Sequence, residues 1–135
     1  MENKRRKGFA ASLLSRLDDE VKARRQRKIS YSQMGEDLIV DFVLRGIGIE
    51  KPTYLDIGAH HPFYLSNTAI FYARGCSGIN VEPDPELFRA FEAHRTRDVN
   101  VNAGIADRDG AMEYYVIAPP TLNTFDEASA RGFVE

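Results

Sequence analysis

Between residues 36 and 102, short apolar runs alternate with longer segments whose apolar residues recur every three or four positions. Short apolar runs that end at glycine or proline are typical of buried parallel strands, and the longer periodicity is typical of helices. Such an alternation predicts an α/β fold with a parallel sheet. The predicted strands are residues 54–57, 78–82 and 98–102, and the predicted helices are residues 36–45, 66–74 and 85–95.

Two of the helices carry clear boundary signals. Ser66 or Asn67 is a suitable N-cap for the helix that ends before Gly75, and Asp84 followed by Pro85 predicts the start of another. The helix over 36–45 places Leu38, Ile39, Phe42 and Val43 on one face. Further along, the β-rich run 112–117 is expected to pair with residues 104–106 across the turn 107–110. From Thr121 onward the sequence is polar and predicts no element.

Two predicted strands end in an acidic residue. Asp56 is followed by Ile57 and then Gly58, and Glu82, which lies 26 positions after Asp56, is followed by Pro83. In nucleotide-binding βαβ units, ligands lie at the carboxyl ends of the strands, and an acid at the end of the second strand binds the ribose hydroxyls. The sequence therefore predicts a nucleoside site that includes Glu82. The alternative is an ordinary pair of strand ends without a ligand.

The residues after Gly58 bear on which nucleoside would bind. A dinucleotide site needs the G-x-G-x-x-G pattern, whose backbone amides approach a pyrophosphate. Here His60 and Pro62 follow the glycine, and proline has no amide hydrogen to donate. This turn favours S-adenosylmethionine, which has no phosphate, over NAD. An NAD-dependent oxidoreductase remains the alternative enzyme.

Four stretches together resemble the FkbM-type methyltransferases: Tyr31–Asp37, Tyr54–His60, Ser66–Thr68 and Gly78–Pro83. The resemblance covers roughly residues 30–130. It implies a class I, Rossmann-like fold that uses S-adenosylmethionine to methylate a hydroxyl of a sugar, polyketide or similar natural product. In that reaction the acceptor oxygen attacks the sulfonium methyl group, and S-adenosylhomocysteine is released. The acceptor is thus a small molecule or a saccharide.

The strand ends and the resemblance together predict the residues that contact the cofactor. We expect Glu82 to hold the ribose, Asp56 and Gly58 to line the methionine end, and Asn102 and Gly104 to lie beside the adenine. Gln33 and Glu36 are expected near the ligand by resemblance, although Glu36 also suits the start of a helix for electrostatic reasons alone. The full predicted set is Gln33, Glu36, Asp56, Gly58, Ala59, His60, Glu82, Pro83, Asn102 and Gly104.

The two adjacent histidines do not predict a metal site. His60 and His61 point apart on a turn, and no further ligand lies nearby in sequence. His60 is a candidate to contact ligand, but we assign no catalytic base. The FkbM pattern continues with another strand and an Asp-x-Glu-Gly type motif that this sequence does not contain. We therefore expect the chain to be the N-terminal half of the domain, with an incomplete sheet and weak or no turnover by itself.

The length, charge and cysteine content of the 135 residues limit the classes of protein to which the chain can belong. This length suits one domain, the net charge of -2 gives no general case for nucleic acid, and no run is apolar enough for a membrane span. The single cysteine, Cys76, excludes an internal disulfide and suits a reducing compartment, which predicts a cytoplasmic location. An uncovered sheet edge would favour association into a homo-oligomer.

A basic arm, residues 1–29, precedes the domain predicted over 30–135. Residues 1–28 contain 10 Lys and Arg against 4 Asp and Glu, and the rest contains 8 against 16. A helical stripe of Phe9, Leu13, Leu17 and Val21 runs through the arm. An amphipathic helix of this kind favours contact with an anionic membrane or a partner, which would make the chain a non-catalytic interaction module. The alternative is a solvated helix, or one packed on the domain.

Overall fold

The three runs predicted as strands form a parallel sheet in the computed structural model, which describes residues 16–133. Helices separate the strands, so the α/β prediction is confirmed. In chain order the elements are α1 (16–26), α2 (Glu36–Gly46), β1 (Leu55–Ile57), α3 (Ala69–Ala73), β2 (Ile79–Val81), α4 (Pro85–His94), β3 (Val99–Val101), a 3₁₀ turn (Pro120–Leu122) and α5 (Glu127–Gly132).

The sheet has the strand order β1-β2-β3, with both pairs parallel. Each crossover runs through one helix, α3 between β1 and β2 and α4 between β2 and β3. This connection brings all three carboxyl ends to one edge of the sheet, where ligands of open α/β sheets bind. Across the sheet, the aligned residues are Leu55, Ile79 and Val99, then Asp56, Asn80 and Asn100, then Ile57, Val81 and Val101.

The helix α4 begins as its sequence predicts. The Asp84 side chain accepts hydrogen bonds from the amides of Glu86 (2.8 Å) and Leu87 (3.3 Å), and Pro85 occupies the first turn. An acidic N-cap accepts hydrogen bonds from amides at the start of a helix that have no partner within the helix. Proline in the first turn costs no hydrogen bond, because the amide that it lacks would have had no partner within the helix. The direction in which the chain leaves β2 is therefore fixed locally.

The helix α3 begins later than predicted. Its first residue is Ala69, and Thr68 is the N-cap. The Ser66 hydroxyl nevertheless accepts from the amides of Thr68 (3.4 Å) and Ala69 (3.1 Å), which leaves 66–68 as a turn before the helix with Ser66 and Thr68 buried. Ser66 thus accepts hydrogen bonds at the start of α3, although the residue itself lies before the helix.

The two faces of the sheet are opposite in polarity. Asp56, Asn80 and Asn100 share one face, and their side chains bond to the start of α3 and to the segment after α4. The other face is apolar, yet Leu55, Ile57 and Val99 are 60%, 56% and 60% exposed. The expectation that the strands bury their apolar residues therefore holds at Val81 of β2, which is 6% exposed, but not at these positions of β1 and β3. The helices of the two crossovers lie on the polar face instead.

A buried ion pair organises that polar face. The Arg95 and Asp98 side chains are fully buried and 2.9 Å apart. Arg95 also donates to the carbonyl oxygen of Pro62 (2.8 Å), to Thr68 Oγ1 (3.0 Å) and to the Tyr54 hydroxyl (3.1 Å). One side chain thereby ties the end of α4 to the start of β1 and to the loop that leaves it.

The helix α2 turns its acidic side inward. Asp37 is fully buried and accepts from Ser30 Oγ (2.6 Å) and the Tyr31 amide (2.8 Å), and buried Asp41 pairs with Arg74. The predicted apolar face points mostly outward, with Ile39, Phe42 and Val43 exposed. Leu38 of this face and Leu44 nevertheless pack against Ile70 and Phe71 of α3, and the Asp41–Arg74 pair adds an ionic contact between the two helices.

The hairpin predicted for residues 104–117 does not form. Instead, Tyr115 makes an isolated antiparallel bridge with Thr124, through hydrogen bonds of 2.9 and 3.2 Å. Residues 104–113 remain irregular. The β-rich run has thus paired with the polar segment that follows it, a partner that its own pattern does not specify.

Part of the predicted basic arm lies outside the described residues, including Phe9 and Leu13. Residues 16–26 are helical and exposed throughout, with Leu17 and Val21 on the surface. The division of the chain at residue 29 stays a prediction. Among residues 16–133, no helix combines the length and apolar character that crossing a bilayer requires.

Candidate functional site

A tight turn follows β1 at the carboxyl edge of the sheet. Gly58 and His60 both have positive φ, +69° and 58°. Glycine adopts this conformation without strain, whereas a histidine there needs support from its surroundings. Support comes from β2, because the Gly58 and Ala59 amides donate to the carbonyl oxygen of Val81 (2.9 and 3.1 Å) and the His60 amide donates to Glu82 Oε2 (2.7 Å).

This pattern determines what the turn can bind through its backbone. Three successive amides, those of Gly58, Ala59 and His60, already donate to acceptors at the end of β2. A phosphate cradle requires such amides to point at the ligand. The turn therefore lacks the arrangement that a pyrophosphate would need, in agreement with the argument from the missing glycines.

Glu82 is the central polar group of this edge. It follows β2 directly, is only 3% exposed, and accepts from the His60 amide through Oε2 and from the Asp84 amide (2.8 Å) through Oε1. Burial is the main cause that raises its pKa above the ordinary 4.5, opposed by these two hydrogen bonds. Each oxygen accepts one bond from the protein, so each has a further lone pair to offer a hydroxyl group.

A cleft of about 370 Å³ opens over this carboxylate. Five of its wall residues belong to the set predicted from sequence, and we name it the Glu82 cleft. Its walls are Gln33, Gly58, His60, Leu65, Glu82, Pro83, Leu87, Tyr114, Pro120, Thr121, Asn123 and Phe125.

A second cleft, of about 420 Å³, lies beyond the end of β3 and is named the Gly104 cleft. It includes Gly104, Ile105, Asp109 and Met112, and it shares Pro83, Tyr114 and Phe125 with the Glu82 cleft. The two clefts are therefore neighbours with a common wall. Together they follow the carboxyl edge of the sheet from β1 to β3.

Four of the predicted residues do not line the Glu82 cleft or the Gly104 cleft. Asp56 instead accepts from Thr68 Oγ1 (2.7 Å), and burial raises its pKa. Exposed Glu36 accepts from the Met34 amide (2.8 Å), and Asn102 donates to the carbonyl oxygens of Glu82 (2.8 Å) and Pro83 (3.0 Å). Ala59 is buried. Their contact with a ligand stays a prediction.

The histidines have different surroundings. His61 Nδ1 accepts from the Phe63 and Tyr64 amides, both at 3.1 Å, so this ring stabilises the loop after β1. His60 lines the Glu82 cleft, and burial is the main cause that lowers its pKa. This shift favours the uncharged form of the ring. Among the described residues, no group of His, Cys, Asp and Glu side chains is arranged to hold a metal ion.

Several wall residues were missed by the sequence argument. Tyr114, Thr121, Asn123 and Phe125 lie in a region that predicts a hairpin and then a polar tail. They enter the site because the Tyr115–Thr124 bridge folds this region back over the strand ends. Neither residue spacing nor local composition signals that return.

These features define a parallel α/β protein with a polar cleft at the carboxyl ends of its strands and a buried acid after the second strand. The family model described as "Methyltransferase FkbM domain" matches residues 56–132, more than half of the chain. The chain therefore belongs to the FkbM methyltransferase family, which confirms the resemblance drawn from its motifs. This membership indicates methyl transfer in general. Comparisons with curated proteins and with solved structures gave no match.

Proposed function

We propose that this chain binds S-adenosylmethionine in the Glu82 cleft and contributes that site to a class I methyltransferase acting on a hydroxyl of a sugar or natural product. The observation that carries the proposal is the buried Glu82 carboxylate on the wall of a cleft at the carboxyl edge of the sheet. FkbM membership supports the methyl-transfer part. The cofactor supplies an electrophilic methyl group on a positively charged sulfur.

The chemistry of the cleft fits this cofactor. A carboxylate can accept hydrogen bonds from two ribose hydroxyls, and Glu82 has one lone pair of each oxygen left for that purpose. Gly58 carries no Cβ, so a ligand can approach the backbone after β1 closely. Burial lowers the pKa of His60 and so favours the uncharged ring, which does not repel a cationic sulfonium.

The same geometry argues against a dinucleotide. The amides of Gly58, Ala59 and His60 donate to Val81 and Glu82 and are not directed at a phosphate. NAD would bring two phosphates to this edge of the sheet, where the buried acidic side chains of Glu82 and Asp84 disfavour further negative charge. We therefore expect selectivity for S-adenosyl compounds over NAD.

Calorimetric titration of the chain with S-adenosylhomocysteine, and separately with NAD, tests the proposal. We expect saturable binding of S-adenosylhomocysteine and none of NAD. Glu82→Gln should weaken binding by about tenfold or more, because a buried hydrogen bond to a charged group contributes about 1.5–3 kcal/mol.

The control variant is Glu92→Gln, which removes an exposed carboxylate of α4 that lines neither cleft. It should bind like the wild-type chain. Binding of NAD in preference to S-adenosylhomocysteine, or equal binding by wild type and Glu82→Gln, would contradict the proposal.

A further inference from the structure

Phe125 lies where the clefts at the carboxyl edge of the sheet meet. Its side chain lines the Glu82 cleft, the Gly104 cleft and a smaller cleft of about 150 Å³ beside Ile57 and Val81. The ring is only partly buried. An aromatic surface is thus available to whatever occupies the space between Glu82 and Gly104.

The ring is held by close packing. A Cβ atom on Gly104 would lie 2.9 Å from Cε2 and 3.1 Å from Cε1 of Phe125, and closer still to Cζ, so any larger residue at this position would displace the ring. The edge of the ring at Cζ therefore points at the backbone after β3, so neither face of the ring packs on that backbone. Tyr114 packs beside it, with ring centroids 4.8 Å apart and planes at 49°.

The backbone around Phe125 is held as well. Thr124 forms the bridge with Tyr115, and the Asn123 side chain donates to Asp84 (3.2 Å) and accepts from the Ile117 amide (2.8 Å). Because Asp84 is also the N-cap of α4, the segment before Phe125 is tied to the element that follows Glu82. The ring and the carboxylate are therefore positioned by the same local structure.

We propose that Phe125 is the stacking platform for the purine ring of the bound nucleoside. The inference rests on the proposed function, since it places the ribose at Glu82. Pro83, which follows Glu82, lines all three clefts and so connects the ribose position to Gly104 and the Phe125 ring. Aromatic side chains bind bases through their π faces without requiring hydrogen bonds.

The test combines calorimetry with proton NMR of bound S-adenosylhomocysteine. Stacking on Phe125 should move the adenine H2 and H8 resonances upfield. Phe125→Leu keeps an apolar side chain but removes the aromatic face, so we expect at least about a fivefold loss of affinity together with loss of the upfield shift. Phe125→Tyr should retain both. Phe133→Leu, which changes an exposed aromatic residue that lines none of these clefts, should also retain both.

The outcomes separate the inference from the proposed function. If the folded wild-type chain does not bind S-adenosylhomocysteine, the proposed function fails and this inference fails with it. If the wild type binds and Phe125→Leu keeps the wild-type affinity and shift, only the inference is overturned. A loss of affinity with the shift intact also overturns it, because the ring would then be only structural. Should Phe125→Leu not fold, Gly104→Ala, which displaces the ring without removing it, must abolish the shift.

Discussion

Arg95→Met is the substitution that we expect to damage the fold most. The guanidinium group is fully buried and donates to Asp98, Pro62, Thr68 and Tyr54. Methionine fills much of the same volume but donates nothing. The variant therefore leaves the Asp98 carboxylate buried without its cationic partner and removes the donor that holds the loop after β1.

The expected loss is large relative to the stability of a small domain. Breaking a buried ion pair by removing one partner costs about 3–5 kcal/mol. A typical domain unfolds with a free energy of about 5–15 kcal/mol, so about a fifth or more of it would be lost. For a chain of this size, that corresponds to a fall of roughly 10–20 °C in the melting temperature.

Thermal unfolding followed by circular dichroism measures this effect, and Asp98 provides the decisive second variant. Asp98→Asn removes the buried charge, so the double variant Arg95→Met/Asp98→Asn should melt higher than Arg95→Met alone. The surface pair of Arg131 and Glu127 is mostly exposed, and Arg131→Met should change the melting temperature little. An Arg95→Met variant that melts within about 3 °C of the wild type, or a double variant that is worse than the single one, would refute the reasoning.

The stability of the fold at acidic pH gives an independent check on the pair of Arg95 and Asp98. Burial opposes ionisation of Asp98, but hydrogen bonds from Asn80, Tyr54, Gly78 and Arg95 outweigh it and lower the pKa below 3.8. Ionised Asp98 thus stabilises the folded wild type above pH 3.8, and this contribution is lost as the pH falls through the lowered pKa. In Arg95→Met the carboxylate lacks its cation, so its pKa should rise. The difference in stability between the two proteins should then shrink on acidification.

Three further predictions concern two glycines and Glu82. Gly78→Ala would place a Cβ against the carbonyl oxygen and ring of Tyr54, and unfolding in urea should show a loss of about 1–3 kcal/mol or more. Gly104→Ala should displace the Phe125 ring and weaken S-adenosylhomocysteine binding in calorimetry, with little change in melting temperature. Burial raises the pKa of Glu82 above 4.5, and only the ionised carboxylate accepts hydrogen bonds from two hydroxyls. As the solution is acidified, the affinity for S-adenosylhomocysteine should therefore begin to fall while the pH is still above 4.5.

Matched controls accompany these predictions. Gly132→Ala adds a methyl group in α5 with no atom within 4 Å, so it should neither destabilise the chain nor affect binding. Equal effects of Gly132→Ala and Gly78→Ala would contradict the packing argument, and unchanged binding by Gly104→Ala would contradict the role of the ring. For the pH dependence, Glu82→Gln should lack the acid-side loss, and the same profile in both proteins would assign it to another group.

The sequence by itself determined the three strands, the start of α4 and the acid at the centre of the site. The strands, the capped start of α4 and the position of Glu82 after β2 follow from apolar runs, from Asp84-Pro85 and from an acid before a proline. These signals involve residues close together in the chain, where the backbone has few alternatives. The family followed from the same short motifs and is confirmed.

Only the tertiary structure decided which side chains meet. Phe125 lines the same cleft as Glu82 although 43 positions separate them, and the bridge between Tyr115 and Thr124 replaces the predicted hairpin. The pairing of two segments and the face on which a helix packs depend on the free energy of the whole arrangement, so a local pattern does not fix them. For that reason the position of the Glu82 carboxylate could be predicted from the sequence, whereas only the tertiary structure shows that the Phe125 ring lines the same cleft.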